Sequence, residues 1–296
     1  MERNRSGEFN IAKDLATQMA KNLLMGSAAF RRWRLKRPRS AAHTRTEDFL
    51  AQYAFASLNL LLEHTDGVKG RSVCEIGPGD YLTSGLSILA AGAGRYCVID
   101  RFPGDYTGQA AKRWYREIRS NWETYYPDLP WNQAIDPENF PENAMDRLEL
   151  IGEPLETAKT SQKYDMVCSF QVGEHISDIT AFAEVHNTVL DEGGIGLHRV
   201  DFGPHDCWFF YRDPGVFLRF SDNVWKMTGS NRGVPNRKRH HEFLAAFEKA
   251  GLNVEVLFTD NFDRSRMDLG KLNKKFLEMP MDSVLTGTAI YRITRR

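Results

Sequence analysis

The stretch VCEIGPGDYLTSG, residues 73–85, sets two acids, Glu75 and Asp80, around a turn made by Gly77 and Gly79. A Gly-x-Gly turn between a strand and a helix lets a ligand come close to the backbone, because glycine adopts conformations closed to other residues. The dinucleotide-binding form of this turn has a third glycine three residues on and offers a helix N-terminus to a diphosphate. Here that third position is Leu82. Carboxylates beside the turn repel a diphosphate and attract a cation. Asp100 ends a second apolar run, RYCVI, and an acid at that place accepts hydrogen bonds from both hydroxyls of a ribose. Every nucleotide reading shares Asp100. Glu75, Asp80 and the missing glycine discriminate between them.

A second group of reactive residues follows the run YDMVCSF, where Glu174-His175 stands at the end of an expected strand. Histidine is the default general base near neutral pH. For His175 three roles stay open: base, helix cap, or another part in the site. Glu174 either orients His175, binds a metal in company with other acids, or meets an acceptor. No further ligand spacing supports a metal, and none is assigned. The run HRVDFGPHD adds His198 as a second catalytic candidate and His205 as an acceptor contact, with chance clustering as the rival. His186 falls inside a helical pattern and reads as solvated or internally satisfied.

The elements that must position these residues alternate in type. Strands are expected at 72–76, 95–99, 147–151, 164–170, 196–200, 252–258 and 284–293. Helices are expected at 82–91, 109–125, 179–190 and 242–250, and another runs from a Thr46 cap to His64. Such alternation predicts an α/β, Rossmann-like, doubly wound sheet with right-handed crossovers. Ligands of such sheets bind at the carboxyl ends of the strands, near the switch point. Residues 75–80, 100, 152–156 and 170–175 then share one rim.

Taken together, EIGPGD, the acid of VID100, YDMVCSFQVGEHI and VLDEGGIGLHRVD resemble the class I S-adenosylmethionine-dependent methyltransferases over roughly residues 70–200. S-adenosylmethionine carries both an ammonium and a sulfonium, which suits the acids of the turn. The resemblance implies a seven-stranded sheet with an antiparallel last strand. It implies that Glu75, Gly77, Gly79 and Asp80 cradle the methionine part of the cofactor and that Asp100 holds the ribose. Glu153 and Leu155 are expected to bracket the adenine, and Phe170 and Gln171 to complete the cofactor side. Relatives that methylate oxygen carry a Glu-His pair at the place of Glu174-His175. One departure is Pro154, which has no N–H to give the adenine ring. The crossover 101–146 is longer than usual, and its role stays open.

Residues 203–243 mix aromatics with Tyr211, Arg219, Asn231 and Arg232. This segment is expected to form an acceptor-binding lid, with these four residues as contacts to a saccharide, lipid-linked or other small molecule. A lid packing on its own aromatics is the rival. The FLRFSD, SNR and PNR runs are similar to methyltransferases of saccharide and natural-product biosynthesis. The expected division is an N-terminal helical extension, 1–66, and a methyltransferase domain, 67–296. The expected reaction is methyl transfer, most readily to a hydroxyl. The alternatives are a nicotinamide-dependent oxidoreductase and a non-catalytic cofactor-binding protein.

Lys plus Arg equals Asp plus Glu at 39 each, so no global field points to nucleic acid or membrane. The local exception is RRWRLKRPRSAAHTR, 31–45, with seven basic residues and no acid. It reads as a solvated face or arm, or as a contact to an anionic surface. No nucleic-acid recognition motif accompanies it. The polar start MERNRSGEFN predicts no secretory signal. Cys74, Cys97 and Cys168 sit in apolar runs and read as buried small hydrophobes in a reducing, cytoplasmic setting. The oligomeric state cannot be read.

Overall fold

A computed structural model describes residues 10–30 and 46–296, so the basic run 31–45 lies outside the described residues. The strands are β1 (Ser72–Ile76), β2 (Arg95–Ile99), β3 (Leu148–Ile151), β4 (Tyr164–Phe170), β5 (Leu190–Asp201), β6 (Leu252–Asn261) and β7 (Thr286–Arg295). The main helices are α1 (Ile11–Gly26), α2 (Ala56–His64), α3 (Thr83–Ala90), α4 (Gln109–Tyr125), α5 (Ile179–Val189), α6 (Asp222–Gly229) and α7 (His240–Lys249).

The seven strands form one sheet in the order β3-β2-β1-β4-β5-β7-β6. β1 to β5 pair in parallel, with Cys74 opposite both Cys97 and Val167, and Phe170 opposite Arg199. β7 runs against β5. The Phe202 amide donates to the Gly287 carbonyl at 2.7 Å, and a Cβ on Gly196 would lie 3.2 Å from Cβ of Ile293. Partners therefore move in opposite directions along the two strands. This is the expected doubly wound sheet with its antiparallel last strand. β1, β2 and β4 are short apolar runs because helices cover both faces of a parallel sheet.

Contacts divide the described residues into two units. The sheet unit comprises 46–201, 242–259 and 289–296, and the second unit comprises 10–30, 202–241 and 260–288. The division differs from an extension ending at residue 66. Residues 46–64 pack in the sheet unit, whereas α1 belongs with the segments once expected to form a lid.

In the sheet unit, the helix expected from Thr46 to His64 is interrupted by a π turn, Leu50–Ala54, before α2. The Phe55 amide bonds to the Leu50 carbonyl, five residues back. The extra residue in that turn lets Phe49, Leu50 and Phe55 all bury. Phe49 stacks on Trp114 at 3.7 Å, and Phe55 meets Trp122 and Tyr126 edge-on. The long crossover acquires a role here. α4 buries Ala111, Trp114, Tyr115, Ile118 and Trp122 on one face. The chain that follows folds back over this face, with Trp131 edge-on to Trp122 at 5.0 Å and the Trp122 indole donating to the Leu129 carbonyl.

Beneath the end of β1, Glu75 is turned inward and is 2% exposed. Ser57 of α2 and Ser84 of α3 each donate to it at 2.5 Å, and the Tyr96 hydroxyl of β2 is its third partner. Burial raises the Glu75 pKa, while the three hydroxyls pull it back. The network depends on α3 lying close to β2. Gly85 makes that possible, since a Cβ there would stand 2.5 Å from the Tyr96 ring.

The second unit has its own core, including Trp208, Phe217, Leu218, Trp225, Phe276 and Val284. Arg239 is fully buried and donates to the carbonyls of Phe202, Val284 and Thr286, tying together three stretches of chain. The Arg237 guanidinium lies 5.0 Å from the Trp225 ring and pairs with Asp222 at 2.5 Å.

Gly85→Ala is expected to push Tyr96 off Glu75 and to destabilise the fold by about 1–3 kcal/mol, the usual cost of overpacking. Thermal melting followed by circular dichroism reads this directly. An unchanged melting temperature would show that α3 and β2 are not so closely fitted.

Candidate active site

The carboxyl ends of the parallel strands are laced together by backbone bonds. The Gly77 amide donates to Ile99, Asp100 to Ile151, and Gln171 to Arg199. These bonds set the loops after β1, β2, β3 and β4 along one rim, with the topological switch between β1 and β4.

At the first loop, Gly77 and Gly79 have φ of +69° and +87°. The two glycines answer different needs. A Cβ on Gly77 would stand 2.8 Å from the Val172 side chain, so this residue lets the turn seat against the loop after β4. Nothing lies within 4 Å of a Cβ built on Gly79, so the backbone there is open to a ligand. Asp80 and Asp100 are half-buried beside it, and the Phe102 amide donates to Asp100 at 2.7 Å. Glu75 requires a correction. Its carboxylate is spent on three hydroxyls inside the fold, so it supports the turn from behind instead of touching a ligand.

The loop after β2 adds a residue that sequence reasoning missed. Gly104 packs on the backbone of the glycine turn, where a Cβ would fall 2.0 Å from the Asp80 carbonyl oxygen. Tyr106 follows, and its ring is buried. Its hydroxyl has no hydrogen-bond partner among the described residues. Burial, then the charge of Asp100, raises its pKa, so it stands as a neutral donor beside the acids. The signal in the sequence was the FPGDY run directly after the ribose-type acid. The loop after β3 joins the same rim, since a Cβ on Gly152 would touch Pro103 at 3.4 Å. Glu153 there is exposed and Leu155 half-buried.

Past β4, Phe170 is half-buried under the Arg199 guanidinium at 5.1 Å. Gln171 has φ of +56°, a conformation rare outside glycine that concentrates at functional sites. His175 closes the short 3-10 turn Gly173–His175 and is exposed at the rim. Glu174, one residue earlier, points inward and is 2% exposed. It is therefore not presented to an acceptor as expected. Neither of its carboxyl oxygens has a hydrogen-bond partner among the described residues. Burial pushes its pKa up to about 8, the charge of Asp201 adds to this and Arg199 opposes it.

His198 is the clearest correction, because it is fully buried between β4 and α5. His186 Nδ1 lies 3.1 Å from the Ala183 carbonyl and must donate to it. His186 Nε2 then accepts from His198 Nε2–H at 2.7 Å, and His198 Nδ1 accepts from the Ser169 hydroxyl at 2.8 Å. Burial lowers both pKa values, that of His186 to about 4. This is a neutral, satisfied core pair, in keeping with the internal reading of His186, and it has no access to a substrate.

The remaining expected acceptor contacts have partners inside the second unit. Tyr211 donates to Asp14 at 2.6 Å and Arg219 to Asp213 at 2.5 Å. The Asn231 amide donates to Asn22 at 2.7 Å, and Arg232 bridges Gln18 and Asp206. These side chains hold their own unit together, in place of the acceptor contacts expected of them. His205 is half-buried in that unit. Two hollows of about 230 and 450 Å³ open where the strands begin, lined by residues such as Arg95 and Glu149 or Arg71 and Asp165. Neither includes a residue of the rim.

The sequence matches no protein-family model and no curated protein. Among solved structures it is similar to an S-adenosylmethionine-dependent methyltransferase from Mesorhizobium loti, at 13% identity over 77% of this chain and 92% of that one, with a TM-score of 0.42. It is similar to YcgJ of Bacillus subtilis at 12% identity over 81% and 98%, with a TM-score of 0.43. It is also similar to phosphoethanolamine N-methyltransferase 2 of Haemonchus contortus, in complex with S-adenosyl-L-methionine, at 15% identity over 85% and 60%, with a TM-score of 0.43. Likeness at this level carries no argument about activity.

Glu174 gives a pH prediction. Its folded pKa, about 8, lies above the ordinary 4.5, so the stability it permits is complete below 4.5 and is lost as pH rises through 8. Glu174→Gln is expected to melt like wild type near pH 4.5 and higher than wild type near pH 9, by at most about 5 kcal/mol. Thermal melts across that range test it. An equal difference at both ends would mean that Glu174 does not titrate in the fold.

Proposed function

We propose that the protein is an S-adenosylmethionine-dependent methyltransferase acting on a small-molecule, saccharide or lipid-linked acceptor at a hydroxyl. One observation carries this reading. A glycine turn with open backbone at Gly79 stands at the switch point of the sheet, flanked by the half-buried acids Asp80 and Asp100. A diphosphate is repelled there, and a ligand with an ammonium and a sulfonium is drawn in. The buried, unpartnered Tyr106 hydroxyl beside the acids also fits a polar guest.

In this reading the backbone of Gly77 and Gly79 and the Asp80 carboxylate hold the amino-acid end. Asp100 accepts from the ribose hydroxyls. Tyr106 donates to the same nucleoside, and Glu153 and Leu155 bracket the base. Phe170 and the strained Gln171 wall the opposite side. The bound cofactor supplies a methyl group already activated by its sulfonium. The protein's work is alignment, on the order of 7–11 kcal/mol for a well-oriented pair, and removal of one proton. His175, exposed at the rim, is the base. An imidazole nitrogen takes the hydroxyl proton as the oxygen–methyl bond forms and the sulfur–methyl bond breaks, and solvent receives that proton afterwards. Supporting this assignment is the burial of His186 and His198, with His64 half-buried, which leaves His175 as the one exposed histidine among the described residues of the sheet unit.

Titration calorimetry is expected to show micromolar binding of S-adenosylmethionine and none of NAD. Binding of NAD alone would reverse the reading. Asp100→Ala is expected to weaken the cofactor about tenfold or more, from two lost hydrogen bonds of roughly 1 kcal/mol each. An unchanged affinity would remove the ribose role.

His175→Ala is expected to cut turnover about a hundredfold or more while cofactor affinity stays near wild type. Acceptors come from incubating the protein with methyl-labelled cofactor and a cell extract, then identifying labelled products by mass spectrometry. Full turnover of such an acceptor by the variant would show that His175 is not the base.

A further inference from the structure

α1 is packed with its amides inward and its leucines outward. Gln18 and Asn22 are 2% and 5% exposed, whereas Leu23 and Leu24 are 78% and 50% exposed. The inward side runs through residues 11, 15, 18 and 22, one helical face. Ile11 and Leu15 touch the second unit's core, Gln18 bonds to Cys207 and Arg232, and Asn22 bonds to Met227, Ser230 and Asn231. The outward side carries Ala16, Ala20, Leu23 and Leu24, all exposed, with the exposed Lys13 and Lys21 among them. The turn Asp206–Phe210, tied to α1 through Cys207 and Tyr211, adds Phe209 and Phe210, which are 69% and 51% exposed.

Charge is distributed just as unevenly. Residues 10–45 contain nine Lys or Arg and one acid, Asp14, although the whole chain is neutral. The remainder therefore carries the compensating acidic excess. An exposed apolar stripe joined to a concentrated positive charge matches a surface that is apolar below and anionic above.

We propose that α1 docks the protein on an anionic lipid surface, laying Leu23 and Leu24 into the boundary between headgroups and acyl chains while Lys13, Lys21 and the basic residues that follow in the sequence meet the phosphates. Amphipathic helices with basic flanks bind in this way, lying in the plane of the interface. No helix of the described residues is long and apolar enough to cross a membrane, so this is attachment to one face. A second copy of the chain is a poorer occupant, because a two-fold contact would bring the same basic segment against itself. A nucleic acid would use the charge and leave the leucines idle. The proposal is independent of the methyl-transfer reading.

Flotation of the full-length protein with vesicles tests it. Wild type is expected to float with phosphatidylglycerol–phosphatidylcholine vesicles at about 0.1 M salt and to be released near 1 M, where the Debye length falls to about 3 Å. Binding to phosphatidylcholine alone is expected to be weaker by about tenfold or more. The double variant Leu23→Asp/Leu24→Asp is expected to lose flotation with unchanged circular dichroism. The milder Leu23→Ser/Leu24→Ser reads the same effect should the acids disturb the fold. Leu277→Asp, at another exposed leucine of the same unit, is expected to float like wild type. Failure of wild type to float, or flotation of both double variants at the wild-type level, overturns the proposal. So does tight binding of polyuridylate RNA that both double variants retain in place of lipid binding, which would assign the face to nucleic acid.

Discussion

A buried carboxylate with three hydroxyls around it is the constraint on which the candidate site rests. Glu75 lies in the interior directly before the glycine turn, where an isolated charge would be prohibitively costly. Ser57, Ser84 and Tyr96 come from two helices and the neighbouring strand, so satisfying one carboxylate fixes three elements against the end of β1. With that end fixed, Gly77 seats against Val172, Gly104 closes on Asp80, and Gly79 keeps open space before it. The acids left at the rim are then Asp80 and Asp100, held by a framework that has already absorbed the charge of Glu75.

The sheet unit carries buried ionisable groups of opposite tendency. Glu174 resists ionisation and makes the fold less tolerant of alkali. The His186–His198 pair resists protonation, so its contribution is present above pH 6.5 and is lost as pH falls toward 4. The unit is therefore best suited to the interval between the two losses.

Much of the fold was legible in the sequence because its signals are local. β2, β4 and α4 begin and end where the apolar runs and the helical spacing place them. The rim followed from topology, since a parallel doubly wound sheet leaves little freedom over where its loops converge. What could not be read depends on contacts distant along the chain. Glu75 looked like a ligand contact because its three partners lie 9 to 21 residues away. His198 looked catalytic because its pairing with His186 is a property of the folded core. Tyr211, Asn231 and Arg232 looked like acceptor contacts because their partners on α1 stand far off in sequence. Tyr106 was overlooked because the FPGDY run was read only as the start of a long crossover, and the burial of its ring depends on the fold.

In the proposed function the open turn at Gly79 receives a cationic nucleoside. Diffraction from crystals grown with S-adenosylmethionine tests it most directly. Density is expected with the amino-acid end against Gly77 and Gly79 and the ribose on Asp100. A diphosphate in that place from crystals grown with NAD, or an empty turn at saturating S-adenosylmethionine, would contradict it.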